Sequence, residues 1–369
     1  MEDKEASGRD HSWDWLRLRL IRGVGGVRFA HLVETFGSPE AVLAAPVREL
    51  AAVRGVPRRV AQDIADRRFE QDPERVWRRL EAIGARVLTL ADADYPPLLK
   101  AVYAPPPVLF LRGELEPVRP GGVAVVGSRR ASAYGRRVAE ELGRDLARAG
   151  VSVVSGLARG IDRCAHAAAL AAGGHSVGVL GCGLDVAYPP EHAELMEELA
   201  RRGALLSEYP PGTEPRAGHF PVRNRIISGL SRAVVVVEAG LRSGALITAR
   251  HALDQGREVF AVPGPVGSPG AAGCNELIRQ GAGLLTSARD LLAPGAMPPP
   301  AEPPAPAPLP VELPEEAARL LEIVGPEPIH VDQITRASGL APQEVTALLV
   351  NLELAGLVEQ RPGKYYVRC

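Results

Sequence analysis

Arginine recurs at four places in the middle of this 369-residue chain, in three of them together with serine and glycine. The segments are Gly127-Ser128-Arg129-Arg130, Ser155-Gly156-Leu157-Ala158-Arg159-Gly160, Phe220-Pro221-Val222-Arg223-Asn224-Arg225 and Arg242-Ser243-Gly244. Each combination can grip phosphate. Glycine lets a ligand approach the backbone, helix N-termini and serine hydroxyls donate to phosphate oxygens, and arginine adds a permanently charged, bidentate fork. Several separated arginines suit a polymer backbone better than a single pyrophosphate. Phe220, Tyr134 and Tyr209 offer rings for base stacking, worth ~1–3 kcal/mol where it occurs, although core packing is the simpler account of each. Arg136, Arg137 and Arg144 alternate with Glu140, Glu141 and Asp145 on a helical stretch and read as a solvated face.

Other chemistries fit less well. Asp162, Asp185, Glu208 and Glu238 fall near the same segments. A metal-dependent nuclease needs two or more such carboxylates converging, and nothing in their spacing forces that. Asp162, early in its helix, reads as a partner of the helix dipole, with His166 one turn further along the same face. G-x-G-x-x-G is missing after the first strand of this region, and so is the Walker phosphate loop, so neither NAD nor ATP is expected and no cofactor is assigned. Cys164, Cys182, Cys274 and Cys369 form no C-x-x-C pair, which argues against a zinc cage or a disulfide framework. The start MEDKEASGRDHSWDW lacks the apolar core of a signal peptide. No apolar run of ~20 residues is present to span a membrane. A cytoplasmic protein is expected. The net charge of −1 excludes a uniformly basic coat but leaves room for a local basic groove.

The elements that must position these segments are legible as an alternation. Apolar, β-rich runs occur at Val123–Val126, Val151–Val154, Ser176–Leu180, Ala204–Ser207, Ala233–Glu238 and Glu258–Val262, separated by Ala/Arg/Leu-rich stretches of helical period. Strands alternating with helices predict a parallel sheet covered on both faces. In such a sheet ligands bind beyond the carboxyl ends of the strands, which is where the Gly/Ser/Arg segments fall. The fold class expected is α/β, a Rossmann-like doubly wound and mostly parallel sheet over residues 89–292. Residues 1–88 look like a helical domain of the SAM or helix-hairpin-helix kind, with a weak repeat in RGVGGVRFA (22–30) and RGVPRRVA (54–61). Residues 293–314 hold ten prolines and form a linker that cannot pack as helix or sheet. Residues 315–369 read as helices followed by a hairpin, the order of a winged helix.

Seven blocks in order over the central region carry a resemblance. They are VAVVGSRRASAYG, SGLARGIDRCAH, GCGLDVAYPPEH, SEYPPGTEP, FPVRNRIISGLS, VVEAGLRSGALITARHALDQGREVFAVPG and GCNELIRQGA. Together they resemble the DNA-processing DprA (Smf) family. The resemblance implies a non-enzymatic protein of natural transformation that binds incoming single-stranded DNA, protects it from nucleases and loads the RecA recombinase. The family's Gly-Ser/Thr-Arg motif matches Gly127, Ser128 and Arg129, making Arg129 the implied phosphate contact. The FPxRNRIIxGLS block makes Phe220, Arg223 and Asn224 implied contacts. Ser155, Gly156, Arg159, Arg225, Ser243 and Gly244 complete the expected single-stranded DNA site. Some relatives carry a basic residue after Tyr-Pro in the third block, where this chain has Pro190. The family dimerises through an apolar patch that matches NELIRQGAGLL, so Ile278 and Leu284 are the expected homodimer contacts.

The C-terminal charge departs from what a DNA-reading winged helix needs. Residues 310–369 carry nine acids and five Lys/Arg, and the segment 342–354 holds Glu344 and Glu353 with no basic residue. It would meet phosphates with repulsion. A protein-binding role is expected, or DNA contact confined to Arg361 and Lys364. Two rival readings of the central domain remain: a LOG-like nucleotide phosphoribohydrolase, whose P-G-G-x-G-T-x-x-E motif is replaced by EAGLRSGALITA, and a module that senses a small nucleotide without turnover.

Overall fold

The computed structural model describes residues 12–115, 118, 121–292, 315–325, 329–354, 357–361 and 363–368. The chain divides into two compact units, 1–303 and 304–369. The Pro-rich linker expected at 293–314, and Cys369, lie outside the described residues.

The first unit opens with helices α1 (residues 12–20), α2 (Gly26–Phe36), α3 (Pro39–Ala44), α4 (Val47–Leu50), α5 (Arg58–Ala65) and α6 (Pro73–Ala82). Ser38 and Asp72 cap α3 and α6 by accepting from the Ala41 and Glu74 amides, each followed by a proline at the first helical position. The two glycine turns of the weak repeat are physically joined. Arg28 donates through Nε to Gly55 O (2.8 Å) and through Nη1 to Gly23 O (2.7 Å). Leu16, Phe29, Leu32, Leu50 and Ile64 bury the inner faces of these helices in a core that continues into Val108, Phe110 and Leu205 of the sheet and Leu199 of the helix that covers it. The helices therefore rest on one end of the sheet, and the boundary expected at residue 88 falls inside a strand.

The sheet region follows as β1 (Arg86–Thr89), α7 (Pro97–Lys100), β2 (Val108–Gly113), β3 (Gly122–Val126), α8 (Ala133–Arg148), β4 (Val153–Ser155), α9 (Ile161–Ala171) and β5 (Ser176–Leu180). It continues with α10 (Ala193–Arg202), β6 (Ala204–Ser207), α11 (His219–Gly229), β7 (Ser231–Val236), α12 (Ala245–Asp254), β8 (Glu258–Ala261), α13 (Ala272–Arg279), β9 (Gly283–Leu284) and α14 (Ala288–Leu292). Nine strands form one sheet in the order β1-β2-β6-β5-β4-β3-β7-β8-β9. Strands β6 through β9 in that order are parallel, and β1 and β2 add an antiparallel edge.

Alternation along each strand decides which helix layer it feeds. Val123, Val125, Val153, Ala233 and Val235 pack under α8, α9 and α14 with Leu142, Leu146, Ile161 and Leu291. Ala124, Val126, Val154, Val234 and Val236 pack under α11, α12 and α13 with Ile226, Leu230, Ala249 and Cys274. Both faces are thus covered, as the continuously apolar strands require. From β3 the chain crosses through α8 to β4 on one side, while β7 pairs on the other. A crevice opens at such a switch point, outside the carboxyl ends of β3 and β7.

The second unit is a winged helix: α15 (Glu315–Ile323), β10 (Ile329–His330), α16 (Val331–Ser338), α17 (Pro342–Leu354) and the hairpin β11 (Val358–Arg361) and β12 (Tyr365–Arg368), with sheet order β10-β12-β11. Leu320, Ile334, Leu349, Leu352, Val358 and Tyr366 form its core.

Candidate nucleic-acid interface

A groove of about 440 Å³ occupies the crevice. Its walls come from the β3 exit (Val126, Gly127, Arg129), the start of α9 (Ala158, Asp162), the start of α11 (Ala217, Phe220, Arg223, Asn224) and the start of α12 (Ser243, Gly244, Ala245, Thr248). Three helices thus present their N-terminal ends to one space, where the positive ends of the helix dipoles favour an anion.

The walls are fastened to one another through the backbone. Ser128 N donates to Glu238 O (2.7 Å), joining the exits of β3 and β7, and Ile161 N donates to Ser128 O (3.3 Å), joining the exits of β3 and β4. Gly160 makes the second joint possible. Its φ is 77°, and a Cβ there would lie 2.2 Å from Ser128 O. Gly127 serves packing as well as access, since a Cβ would meet the Ile161 side chain at 2.6 Å. The Ser128 hydroxyl accepts from the Arg130 amide (3.1 Å) and sets the turn that projects Arg129 and Arg130 outward.

Arg129 is exposed, and among the described residues it has no carboxylate partner. Its guanidinium lies 5.2 Å from the Phe220 ring centroid, a cation–π contact that steers the charge without neutralising it. Phe220 is half-buried, tilted against Tyr188 at 5.4 Å. A side chain at Gly181 would strike the Phe220 ring at 3.0 Å, so glycine there makes room for it. Asn224 donates to Gly244 O (3.4 Å) across the groove from Arg129's wall, and Ser243 accepts from the Ala245 amide at the first turn of α12.

Arg223 departs from the expected direct contact. It is 4% exposed, and Nη1 donates to Gly156 O (2.8 Å) and to Val179 O. Burial lowers its pKa to about 10, opposed by the nearby Asp162. The guanidinium is a strut joining the exits of β4 and β5, and it forms the groove floor. Gly156 is required by that strut, because a Cβ would lie 2.6 Å from Arg223 Nη2. Asp162 is buried and accepts from the Gly156 (3.1 Å) and Ala158 (3.3 Å) amides. Burial raises its pKa, with Arg223 and the two amides opposing.

Five further residues depart from the ligand contacts or pairings expected of them. Ser155 is fully buried and its hydroxyl donates to Val125 O (2.6 Å), so it cannot reach a ligand. Arg225 turns away from the groove to pair with Glu208 (2.7 Å) and donate to Ala104 O (3.0 Å). Arg159 stands at the groove mouth but is held by both carboxylate oxygens of Glu191. His166 does not pair with Asp162: its Nδ1 hydrogen-bonds Ser176 Oγ at 2.7 Å. Tyr209 is stacked on His219 at 4.1 Å and is committed within the protein.

Tyr188 and Thr248 also line the groove; they lie in the blocks GCGLDVAYPPEH and VVEAGLRSGALITARHALDQGREVFAVPG but are not among the expected site residues. Ile278 packs partly buried against the α12/α13 core, whereas Leu284, on the edge strand β9, is 52% exposed.

Fold and crevice together define a Rossmann-like protein with a basic groove at its switch point and a winged-helix domain. Comparison with known families agrees and is more specific. Residues 86–294 match the model of "DNA recombination-mediator protein A", and residues 299–364 match the "DprA winged helix domain". The chain belongs to the DNA recombination-mediator protein A (DprA/Smf) family. It is 41% identical to Protein Smf of Escherichia coli over 366 residues, covering 95% of this chain and 94% of that protein. It is 46% identical over 209 residues to the DNA processing protein DprA of Bacillus subtilis, covering 56% of this chain and 70% of the relative. Among solved structures it resembles DNA processing protein A of Streptococcus pneumoniae (36% identity, TM-score 0.66, covering 75% of this chain and 95% of that one). A second is that of Helicobacter pylori, described for its single-stranded DNA binding mode (31% identity, TM-score 0.51, covering 56% and 94%).

Proposed function

We propose that this protein binds single-stranded DNA in the crevice between the exits of β3 and β7, without catalysing a reaction on it. The observation that carries the reading is the pairing of an exposed Arg129, free of carboxylate partners among the described residues, with three helix N-termini around one groove. A phosphate there meets a full positive charge and the positive ends of three helix dipoles. The neighbouring carboxylates are committed to structure. Asp162 caps backbone amides, Glu208 pairs with Arg225, and Glu238 accepts from Ser132 N and Oγ. That arrangement supports binding over metal-assisted cleavage.

Family membership and the Helicobacter pylori neighbour support the same ligand. Protection of incoming DNA and delivery to RecA in natural transformation belong to the same proposal. Homodimerisation through the β9 edge, with Leu284 as its exposed apolar contact, belongs to the same proposal.

Replacing Arg129 with alanine is expected to weaken oligothymidylate binding by ~1–3 kcal/mol, about 5- to 150-fold, with no change in thermal stability. Fluorescence anisotropy against salt concentration checks it. Wild-type affinity in the folded variant would refute the role of Arg129.

A further inference from the structure

A second, larger groove opens on the other side of the Ser128–Ser132 turn. Its volume is about 730 Å³, and it is walled by that turn, the start of α8 and the loop after β8. Its interior is mainly apolar, from Val262, Pro263 and Pro265, with the Tyr134 ring at one side. Tyr134 is 44% exposed. Arg130 lines the groove and Arg137 lies 5.9 Å from the Tyr134 ring, and neither has a carboxylate partner among the described residues. Glu238 forms the back wall with its oxygens occupied by Ser132 N and Oγ.

We infer that this groove is a second nucleotide subsite, which takes one or more bases of the same single strand after it crosses the Arg129–Arg130 ridge. The inference rests on the DNA-binding reading of the first groove. Continuity carries it: successive residues of one rigid turn, Arg129 and Arg130, line the first and second groove respectively. The chemistry is that of a single-strand site, with cations at the rim for phosphates and an aromatic and proline-lined interior for base faces. A base inserted against Tyr134 reads no edge pattern, so the subsite is indifferent to sequence. Arg137 changes role accordingly, from a solvated helix face to part of the rim.

The test measures affinity against oligothymidylate length for the full chain and for Tyr134→Ala, Tyr134→Phe, Arg130→Ala and Arg129→Ala. Oligomers short enough to fill one groove are expected to bind Tyr134→Ala as they bind wild type. Longer ones lose about tenfold in Tyr134→Ala and Arg130→Ala, and Tyr134→Phe restores stacking. Arg129→Ala weakens every length. Oligomers carrying 4-thiothymidine are expected to photocrosslink within residues 130–134 or 263–271. If Tyr134→Ala and Arg130→Ala follow the wild-type length curve while Arg129→Ala loses binding, the second subsite is overturned and the first groove stands. If wild type binds no oligomer of any length, both readings fall.

Discussion

Arg129, at the exit of β3, and Arg223, near the start of α11, both line the groove, yet the fold uses them in opposite ways. One keeps its charge in solvent beside a ring, and the other is buried on backbone carbonyls. The difference sets a separable prediction. Replacing Arg223 with methionine leaves the Gly156 and Val179 carbonyls without their donor and removes the charge beside Asp162, at a cost of about 3 kcal/mol. Its thermal midpoint is expected to fall clearly, whereas that of Arg129→Ala stays at the wild-type value. Differential scanning calorimetry on both variants checks the contrast.

His166 supplies a pH dependence at the same scale. Ser176 Oγ donates to Val153 O, so it accepts the His166 Nδ1 proton, and Nε2 has no partner among the described residues. Burial, with His192 and Arg223 adding to it, lowers the His166 pKa from 6.5 to about 3. The unfolded imidazole takes up a proton near its ordinary pKa while the folded one stays neutral. Stability from this group is therefore full above pH ~6.5 and declines as pH falls toward about 3. His166→Asn is expected to flatten the stability-against-pH curve in that window, as read by denaturant midpoints.

At the scale of elements, period and composition foretold what the backbone pattern controls. The run Ser176–Leu180 forms a strand with those bounds and Val123–Val126 lies within one that begins a residue earlier, and the Gly/Ser/Arg segments at 127–130, 155–160 and 242–244 follow strands because exits are where glycine is tolerated and helices begin. The antiparallel edge β1–β2 was not foreseen. Its strands flank a proline-rich stretch, Pro96, Pro97 and Pro105–Pro107, that breaks any local hairpin signature, and the pairing of β2 with β6 is long-range. The roles of Ser155, Arg223 and Arg225 were hidden for a related reason. Whether an arginine faces solvent or a carbonyl depends on which strand comes to lie beside it. The glycine at 160 shows the same limit: its φ of 77° and its tight approach to Ser128 O exist only once two exits are docked. Gly160→Ala is expected to strain that joint and reduce both stability and oligothymidylate affinity, measurable together by thermal melts and anisotropy. On the outer edge, Leu284→Glu is the better probe of dimerisation than a charge at Ile278, because Ile278 also packs inward. It is expected to shift a dimer to monomer in light scattering without lowering the melting temperature.

For the whole molecule, the division into two units and the charge of the second predict a division of labour. The winged helix carries the net acidity of residues 310–369, and Glu344 and Glu353 lie on α17, the element that would enter a major groove. Deleting residues 310–369 is therefore expected to leave single- and double-stranded DNA affinity within about twofold of the full chain. A large loss of duplex affinity on gel shift would give the winged helix a DNA-reading role after all.

The adjacency of β3 and β7 has a consequence in time. Residues paired there, such as Val125 and Val235, are far apart in sequence, and the groove needs segments from Val126 to Thr248. No nascent chain that ends before α12 can hold a strand in the crevice, and closing so long a loop is slow. Binding competence therefore arrives with the pairing of β7 beside β3 and the docking of α12, so an oligonucleotide signal in a refolding experiment reports that long-range closure rather than formation of the β3–β6 half alone.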